Sequence, residues 1–250
     1  MPQALRLIDI YSKPELYDAI HARYMWDEEL IARVGKKTGG PVLELGSGTG
    51  RLAKVILELG LDYTGIDLSR ECTEVAKNRY GDEAIFHIGD MQDFDLKSQF
   101  QFVFIGFNSF LHNLTNEEAK SCLNCVSNHL VDDGRFLLSA FIPSPDFLFR
   151  ESKKLFPATD FFNYAGGVCR IMETNQFNQY TQINELTWYL EKDGNIISDE
   201  YHFSQKMYYP HSMDILFEEA GLNIEQKMGD YDGSLMNQES EMQIYVCSKN

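Results

Sequence analysis

The chain predicts an α/β protein built on a doubly wound, mostly parallel seven-stranded sheet whose C-terminal strand runs antiparallel. Three observations lead there. Apolar runs alternate with helical patterns through residue 141, as strand–helix–strand units require. The run Val42-Leu43-Glu44-Leu45 leads directly into Gly46-Ser47-Gly48-Thr49-Gly50, a glycine-rich turn between a buried strand and a helix. Asp67, at the end of the next apolar run, lies 21 residues after Gly46.

The elements follow in order. Residues 11–34 carry Leu16, Ile20, Tyr24, Leu30 and Ile31 at helical spacing, which predicts an amphipathic helical lid over residues 1–38. Residues 42–45 form the first strand and residues 51–59 the first sheet-packed helix. The second strand covers 63–66, and a helix starts near Ser69. Residues 84–88 and 102–106 read as the third and fourth strands, and 117–130 as the helix after them. A turn at Asp133-Gly134 precedes a fifth strand over 136–141, which Pro143 and Pro145 stop.

From residue 168 to 207 the rhythm becomes β-rich. Leu186, Trp188 and Leu190 alternate with Thr187 and Tyr189, and Asp193-Gly194 supplies a hairpin turn into a strand over 196–203. This segment is expected to be an antiparallel flap that shapes the pocket for the reacting molecule and offers a subunit contact, because Tyr180, Trp188, Tyr189 and Tyr201 look exposed, its alternative being a self-contained β embellishment whose aromatics only make its core. The parent pattern resumes after Tyr208-Tyr209-Pro210-His211, with a helix over 211–220 stopped by Gly221 and strands over 223–228 and 242–248. His211 either caps that helix or faces the pocket. One domain results, with a lid at 1–38, a cofactor-binding core at 39–142, an inserted segment at 143–209 and a closing segment at 210–250.

Composition narrows the function. With 22 basic and 38 acidic residues, the net charge of −16 offers no electrostatic footprint for nucleic acid. No apolar run is long enough to span a membrane, and Met1-Pro2-Gln3-Ala4-Leu5-Arg6 lacks a signal-peptide pattern, so a soluble cytoplasmic protein is expected. The five cysteines are scattered and odd in number, as reduced cytosolic thiols are. Cys122 and Cys125 sit on one helix without a second cluster, which favours packing over metal binding, and His129 on the same helix reads as structural. No metal site is expected.

The chemistry is concentrated at strand ends. Glycines at the strand-to-helix turn let a ligand approach the backbone closely. Asp67 stands where a carboxylate takes hydrogen bonds from two ribose hydroxyls, its alternative being a cap for the following helix. Glu44 separates two ligand classes. A carboxylate beside the turn opposes the pyrophosphate of a dinucleotide, whereas the ammonium and sulfonium of S-adenosylmethionine are compatible with it. At this point the chain resembles the class I S-adenosylmethionine-dependent methyltransferases, whose glycine motif is an acidic residue followed by Gly-x-Gly-x-Gly, here Glu44, Gly46, Gly48 and Gly50.

The resemblance implies a Rossmann-like fold and S-adenosyl-L-methionine as cofactor. It implies that Glu44 and the glycines surround the methionine portion and that Asp90, after the third strand, meets the adenine amino group. The cofactor set is then Glu44, Gly46, Ser47, Gly48, Gly50, Asp67, Leu68, Asp90, Met91 and Phe107. Residues 107–112 follow the fourth strand and border the reacting methyl group.

Within the family the chain is similar to glycine and amino-sugar N-methyltransferases, which share the lid and the inserted β segment. That similarity makes His112 a candidate base or orienter. Tyr17 and Tyr24, with Tyr11, resemble a tyrosine-rich lid that orients an amine. The partner implied is a small-molecule methyl acceptor, methylated on nitrogen or else on oxygen, and the inserted segment offers a route to oligomers. The Pro-Pro-Tyr or Pro-Pro-Phe signature of DNA amino-methyltransferases is absent after the fourth strand. The rival classes are a non-catalytic S-adenosylmethionine-binding regulator and an NAD-dependent oxidoreductase.

Overall fold

The computed structural model describes residues 9–197 and 200–249. The reading of residues 1–6, the first part of the lid and the middle of the 196–203 strand lie outside the described residues. A short 3-10 turn, Asp9–Ser12, leads into α1 (Pro14–His21) and α2 (Glu28–Thr38). The central sheet takes β1 (Val42–Leu45), β2 (Tyr63–Asp67), β3 (Ile85–Ile88), β4 (Phe100–Ile105) and β5 (Leu130–Phe141). Between these strands lie α3 (Ala53–Glu58), α4 (Arg70–Tyr80) and α5 (Asn116–His129). A one-turn α6 (Pro145–Leu148) precedes an inserted sheet of β6 (Phe156–Pro157), β7 (Phe162–Tyr164), β8 (Gly167–Asn178), β9 (Ile183–Lys192), β10 (Asn195–Ile196) and β11 (Tyr201–Lys206). The chain closes with α7 (Pro210–Glu219), β12 (Leu222–Met228) and β13 (Met242–Lys249).

The seven-stranded sheet has the order β12-β13-β5-β4-β1-β2-β3. Its strands run parallel except β13, which pairs antiparallel with both β5 and β12, as the sequence predicts. The apolar residues of β1 and β4 are buried on both faces of the sheet. Val42, Leu43 and Leu45, like Phe102, Val103, Phe104 and Ile105, are entirely enclosed, because helices cover both faces. α5 starts on a capping box in which Thr115 and Glu118 reciprocally satisfy backbone amides, which places its N-terminus three residues after His112.

Five expectations need correction. The first sheet-packed helix is shorter than 51–59, because Gly50 to Leu52 remain in the turn. Asp133-Gly134 is no turn: the strand begins at Leu130, pairs with Phe100, and resumes at Arg135 opposite Phe102 across a register shift. Pro145 stops the fifth strand but also starts α6, where Ser144 caps the amide of Phe147. The 196–203 strand divides into β10 and β11, both of which pair with β9. Of the aromatics expected on the flap surface, Tyr180 is 97% exposed, whereas Trp188 and Tyr201 pack against the inserted sheet's own core.

Candidate active site

The glycine turn is a cradle formed by backbone. Gly46 and Gly48 take left-handed angles, φ +75° and +54°, that a side chain disfavours. A Cβ on Gly46 would stand 2.8 Å from the Cβ of Ser109, so the turn and the segment after β4 touch here. Gly46 and Ser47 donate their amides to the carbonyl of Ile66, at 2.8 and 3.0 Å, which ties the turn to the end of β2. Asp67 completes that tie. One carboxylate oxygen accepts from the Gly48 amide at 2.7 Å and the other from the Ser69 amide at 2.8 Å. The helix cap is Ser69, whose side chain accepts from Cys72. Each Asp67 oxygen keeps a lone pair to accept from a ligand hydroxyl, so the pair of acceptors fits a ribose.

The other cofactor candidates scatter around this corner. Ser47 is buried and lies against Gly65 on the sheet side, while Leu68 is largely exposed. Asp90 is half-buried and accepts the Gln92 amide at 2.9 Å, the hydrogen bond of a turn, at the end of β3. Met91 reaches from that turn to Asn113 and stands near Gly46. Phe107 packs against Tyr24 and His21, with ring centroids 4.2 and 4.9 Å apart.

Glu44 behaves differently from the expectation. It is buried behind the turn and accepts a hydrogen bond from Tyr63. Burial pushes its carboxyl up to about 8, so it holds its proton at neutral pH. Protonated, Glu44 presents no negative charge to the turn.

The lid is clamped on this corner. Arg51 makes two hydrogen bonds to the fully buried Asp27, at 2.8 and 2.5 Å, and a third to the carbonyl of Tyr24. Asp18 accepts from Thr49 and from Arg79, at 2.5 Å in the second case. The carbonyl of Tyr11 accepts from Ser69 at 2.9 Å. Tyr17 stands over Gly48.

Between lid, residues 107–112 and inserted sheet lies a cavity of about 540 Å³. Tyr11, Tyr17, Tyr24, Phe107, His112 and Trp188 line it. His112 shares a 3.1 Å hydrogen bond with the hydroxyl of Tyr11, and the Tyr24 hydroxyl donates to Tyr231 at 3.3 Å. Burial raises the pKa values of Tyr11, Tyr17 and Tyr24 well above the usual phenol range, so they stay neutral phenols at neutral pH.

Sequence reasoning missed His21, which also lines the cavity. It is buried between Tyr17 and Phe107, and its Nδ1 donates to the Tyr17 carbonyl at 2.8 Å. Burial lowers its pKa to about 4, so it stays neutral. Its spacing of four from Tyr17 on a helical stripe is the signal that points to it. Elsewhere His129 is structural, accepting from the Leu96 amide and bonded to the Cys125 carbonyl. His211 is exposed at the start of α7, and the cavity lining does not include it.

A seven-stranded sheet of this order, with a glycine turn and a carboxylate at the C-terminal ends of its first two strands, is a methyltransferase-type fold. Residues 42–134 match the methyltransferase domain family. Over 104 residues the chain is 35% identical to an uncharacterized methyltransferase of Geobacillus sp. (strain WCH70), covering 42% of this chain and 47% of that protein. It thus spans about half the length of that relative. In fold it is similar to the CcbJ methyltransferase of Streptomyces caelestis, with a TM-score of 0.78, 19% identity and coverage of 92% and 98% of the two chains. It is also similar to the sugar N-methyltransferase KedS8 of Streptoalloteichus sp. ATCC 53650, with a TM-score of 0.72, 16% identity and coverage of 94% and 92%.

Proposed function

We propose that this protein transfers a methyl group from S-adenosylmethionine to an amine nitrogen of a small molecule. The observation that carries the reading is the Asp67 carboxylate bridging Gly48 and Ser69, with Tyr17, which lines the aromatic cavity, standing over Gly48. Gly46, Gly48, Gly50 and Asp67 would hold the cofactor, with Asp90 and Met91 on the adenine side and Phe107 on the methyl side. Bound there, the cofactor supplies an electrophilic methyl group.

The chain's own residues then have three tasks. The aromatic walls exclude water and face the cationic charge of an amine or sulfonium. Tyr17 orients the acceptor as a hydrogen-bond donor and Tyr24, whose proton goes to Tyr231, as an acceptor, and orientation is the larger part of the acceleration available to a substitution of this kind. His112 takes the acceptor's proton or fixes its lone pair, a task suited to an imidazole near neutral pH. Similarity in fold to a sugar N-methyltransferase supports nitrogen over oxygen.

Among the described residues no helix is long and apolar enough to cross a membrane. All five cysteines are free thiols, which suits a cytoplasmic location. A net charge of −16 leaves nucleic acid outside the proposed range of partners.

Labelled S-adenosylmethionine incubated with a metabolite pool tests the reading, with label expected on an amine nitrogen. Label on oxygen overturns the choice of atom, and tight binding without any labelled product favours a regulatory protein. On the acceptor so found, His112→Ala is expected to lower turnover by about 10²-fold with cofactor affinity retained. Turnover within a few-fold of the parent across pH leaves His112 a structural residue.

A further inference from the structure

The inserted sheet presents one face to the cavity, and that face changes character along its length. Near α1 it is apolar, with Cys169, Ile171 and Leu190 packed on Ile10 and Leu16. Two residues further along β8 it becomes polar. Glu173 faces inward opposite Trp188 on β9, and Arg150, shortly after α6, forms a salt bridge with it. Arg150 also donates through Nε to Asn175 at 2.5 Å, and the Trp188 indole donates to the second Glu173 oxygen at 2.5 Å. The guanidinium lies between the rings of Phe147 and Phe156, at 4.9 and 4.7 Å. Side-chain exposure is 12% for Arg150 and 8% for Glu173, yet both line the cavity.

A buried ion pair is a poor device for stability, since apolar residues of similar volume generally serve as well. This one also leaves hydrogen-bonding capacity unused on the cavity side. Among the described residues no hydrogen bond uses Nη1 of Arg150 or the side-chain amide of Gln205, which lines the same wall. Behind the wall, Asn184 stands in register with Gln205, is fully buried, and keeps an Nδ2 without a partner. Each Glu173 oxygen retains a lone pair beyond the bond it already accepts. Phe203 connects this end to the reaction centre, with its ring 4.9 Å from Trp188 and 6.1 Å from His112.

We propose that Arg150 and Glu173, with Gln205, are specificity-determining residues that grip a hydroxyl group of the methyl acceptor, away from its amine. The inference rests on the methyltransferase reading above. A hydroxyl satisfies both partners at once, accepting from Nη1 and donating to the carboxylate. A carboxylate on the acceptor does not, because Glu173 already neutralises Arg150 and would repel it.

The test is equilibrium binding of amines to protein loaded with S-adenosylhomocysteine. The probes are cyclohexylamine, its 2-, 3- and 4-hydroxy derivatives and the matching aminocyclohexanecarboxylates. They are compared between the parent and the double variant Arg150→Met with Glu173→Met, an apolar exchange of similar bulk. The parent is expected to bind at least one hydroxylated amine about tenfold or more tighter than cyclohexylamine, and the variant to lose that preference to within about twofold. Equal preference in both proteins, no preference in the parent, or preference for a carboxylate overturns the proposal. Should the double variant fail to fold, Gln205→Leu takes its place, where a preference reduced about threefold supports the proposal and an unchanged one overturns it. Absence of S-adenosylhomocysteine binding by the parent sinks the methyltransferase reading and this proposal with it, whereas binding without hydroxyl preference sinks the proposal alone.

Discussion

At the cofactor corner the backbone makes the site, whereas in the acceptor cavity side chains from distant segments make it. The corner uses two strand ends and the turns that follow them. Its amides converge on Asp67 and its glycines leave room for a ligand. The cavity needs α1, the segment after β4, the turn after α6 and five strands of the inserted sheet before its wall closes. A backbone site tolerates little change because every atom in it also holds the fold. A side-chain site can be rewritten one residue at a time, which suits one cofactor and variable acceptors.

That contrast can be broken by substitution. Gly48→Val is expected to have the largest effect, lowering cofactor affinity by about 4 kcal/mol or more, roughly a thousandfold, through left-handed strain and an intruding side chain. Among the described residues beyond its chain neighbours, only Tyr17, at 3.7 Å, stands within 4 Å of the added Cβ, so the variant is expected to fold. Calorimetry on the folded protein decides the point, and parent-like affinity would show that the turn is no cradle.

His21 offers a test from the cavity side. Its pKa falls from 6.5 to about 4 on folding, so between those values the unfolded chain binds a proton that the folded chain refuses. Stability is therefore full above about pH 6.5 and declines as pH falls toward 4, by about 3 kcal/mol at most from this group. Denaturant titrations at pH 7.5 and 4.5 are expected to show a smaller acid loss in His21→Gln than in the parent. An identical loss in both places the imidazole in water.

Asp67→Ala sharpens the corner itself. Loss of charge-assisted hydrogen bonds to ribose is expected to weaken the cofactor by about 1 to 3 kcal/mol. Unchanged affinity in a folded protein confines Asp67 to holding Gly48 and Ser69 together. The smallest effect belongs to the clamp between the two regions. Arg79→Ala removes a partly exposed bond to Asp18 and one to the Thr49 carbonyl, worth about 1 kcal/mol or less together. Stopped-flow release of the cofactor is expected to quicken less than about fivefold, and a much larger change would make this clamp the main closure of the lid.

The two regions also differ in how far they are legible from sequence. Val42–Leu45, the glycines and Asp67 state their structure within 26 residues, because strand, turn and carboxylate are neighbours along the chain. His112 and the lid tyrosines were marked only through their place in the strand–helix order and a family likeness. Arg150 and Glu173 carry no pattern at all, since they lie 23 residues apart and meet only because α6 folds back on β8. Glu44 shows the opposite failing: its position was legible, but its proton was not, because burial beside Tyr63 decides it.

Sequence by itself therefore determined the periodicities, and with them the doubly wound sheet, its antiparallel last strand and the cradle at its edge. These follow from local rules, namely apolar runs, glycine turns and helix caps, each written within a few residues. Tertiary structure alone decided which face of the inserted sheet turns inward, that His21 stays neutral, that Asp27 is buried against Arg51, and that an ion pair lines the far wall of the cavity. The reason is physical. Burial, charge pairing and pKa depend on the medium around a group, and segments far apart in the chain supply that medium.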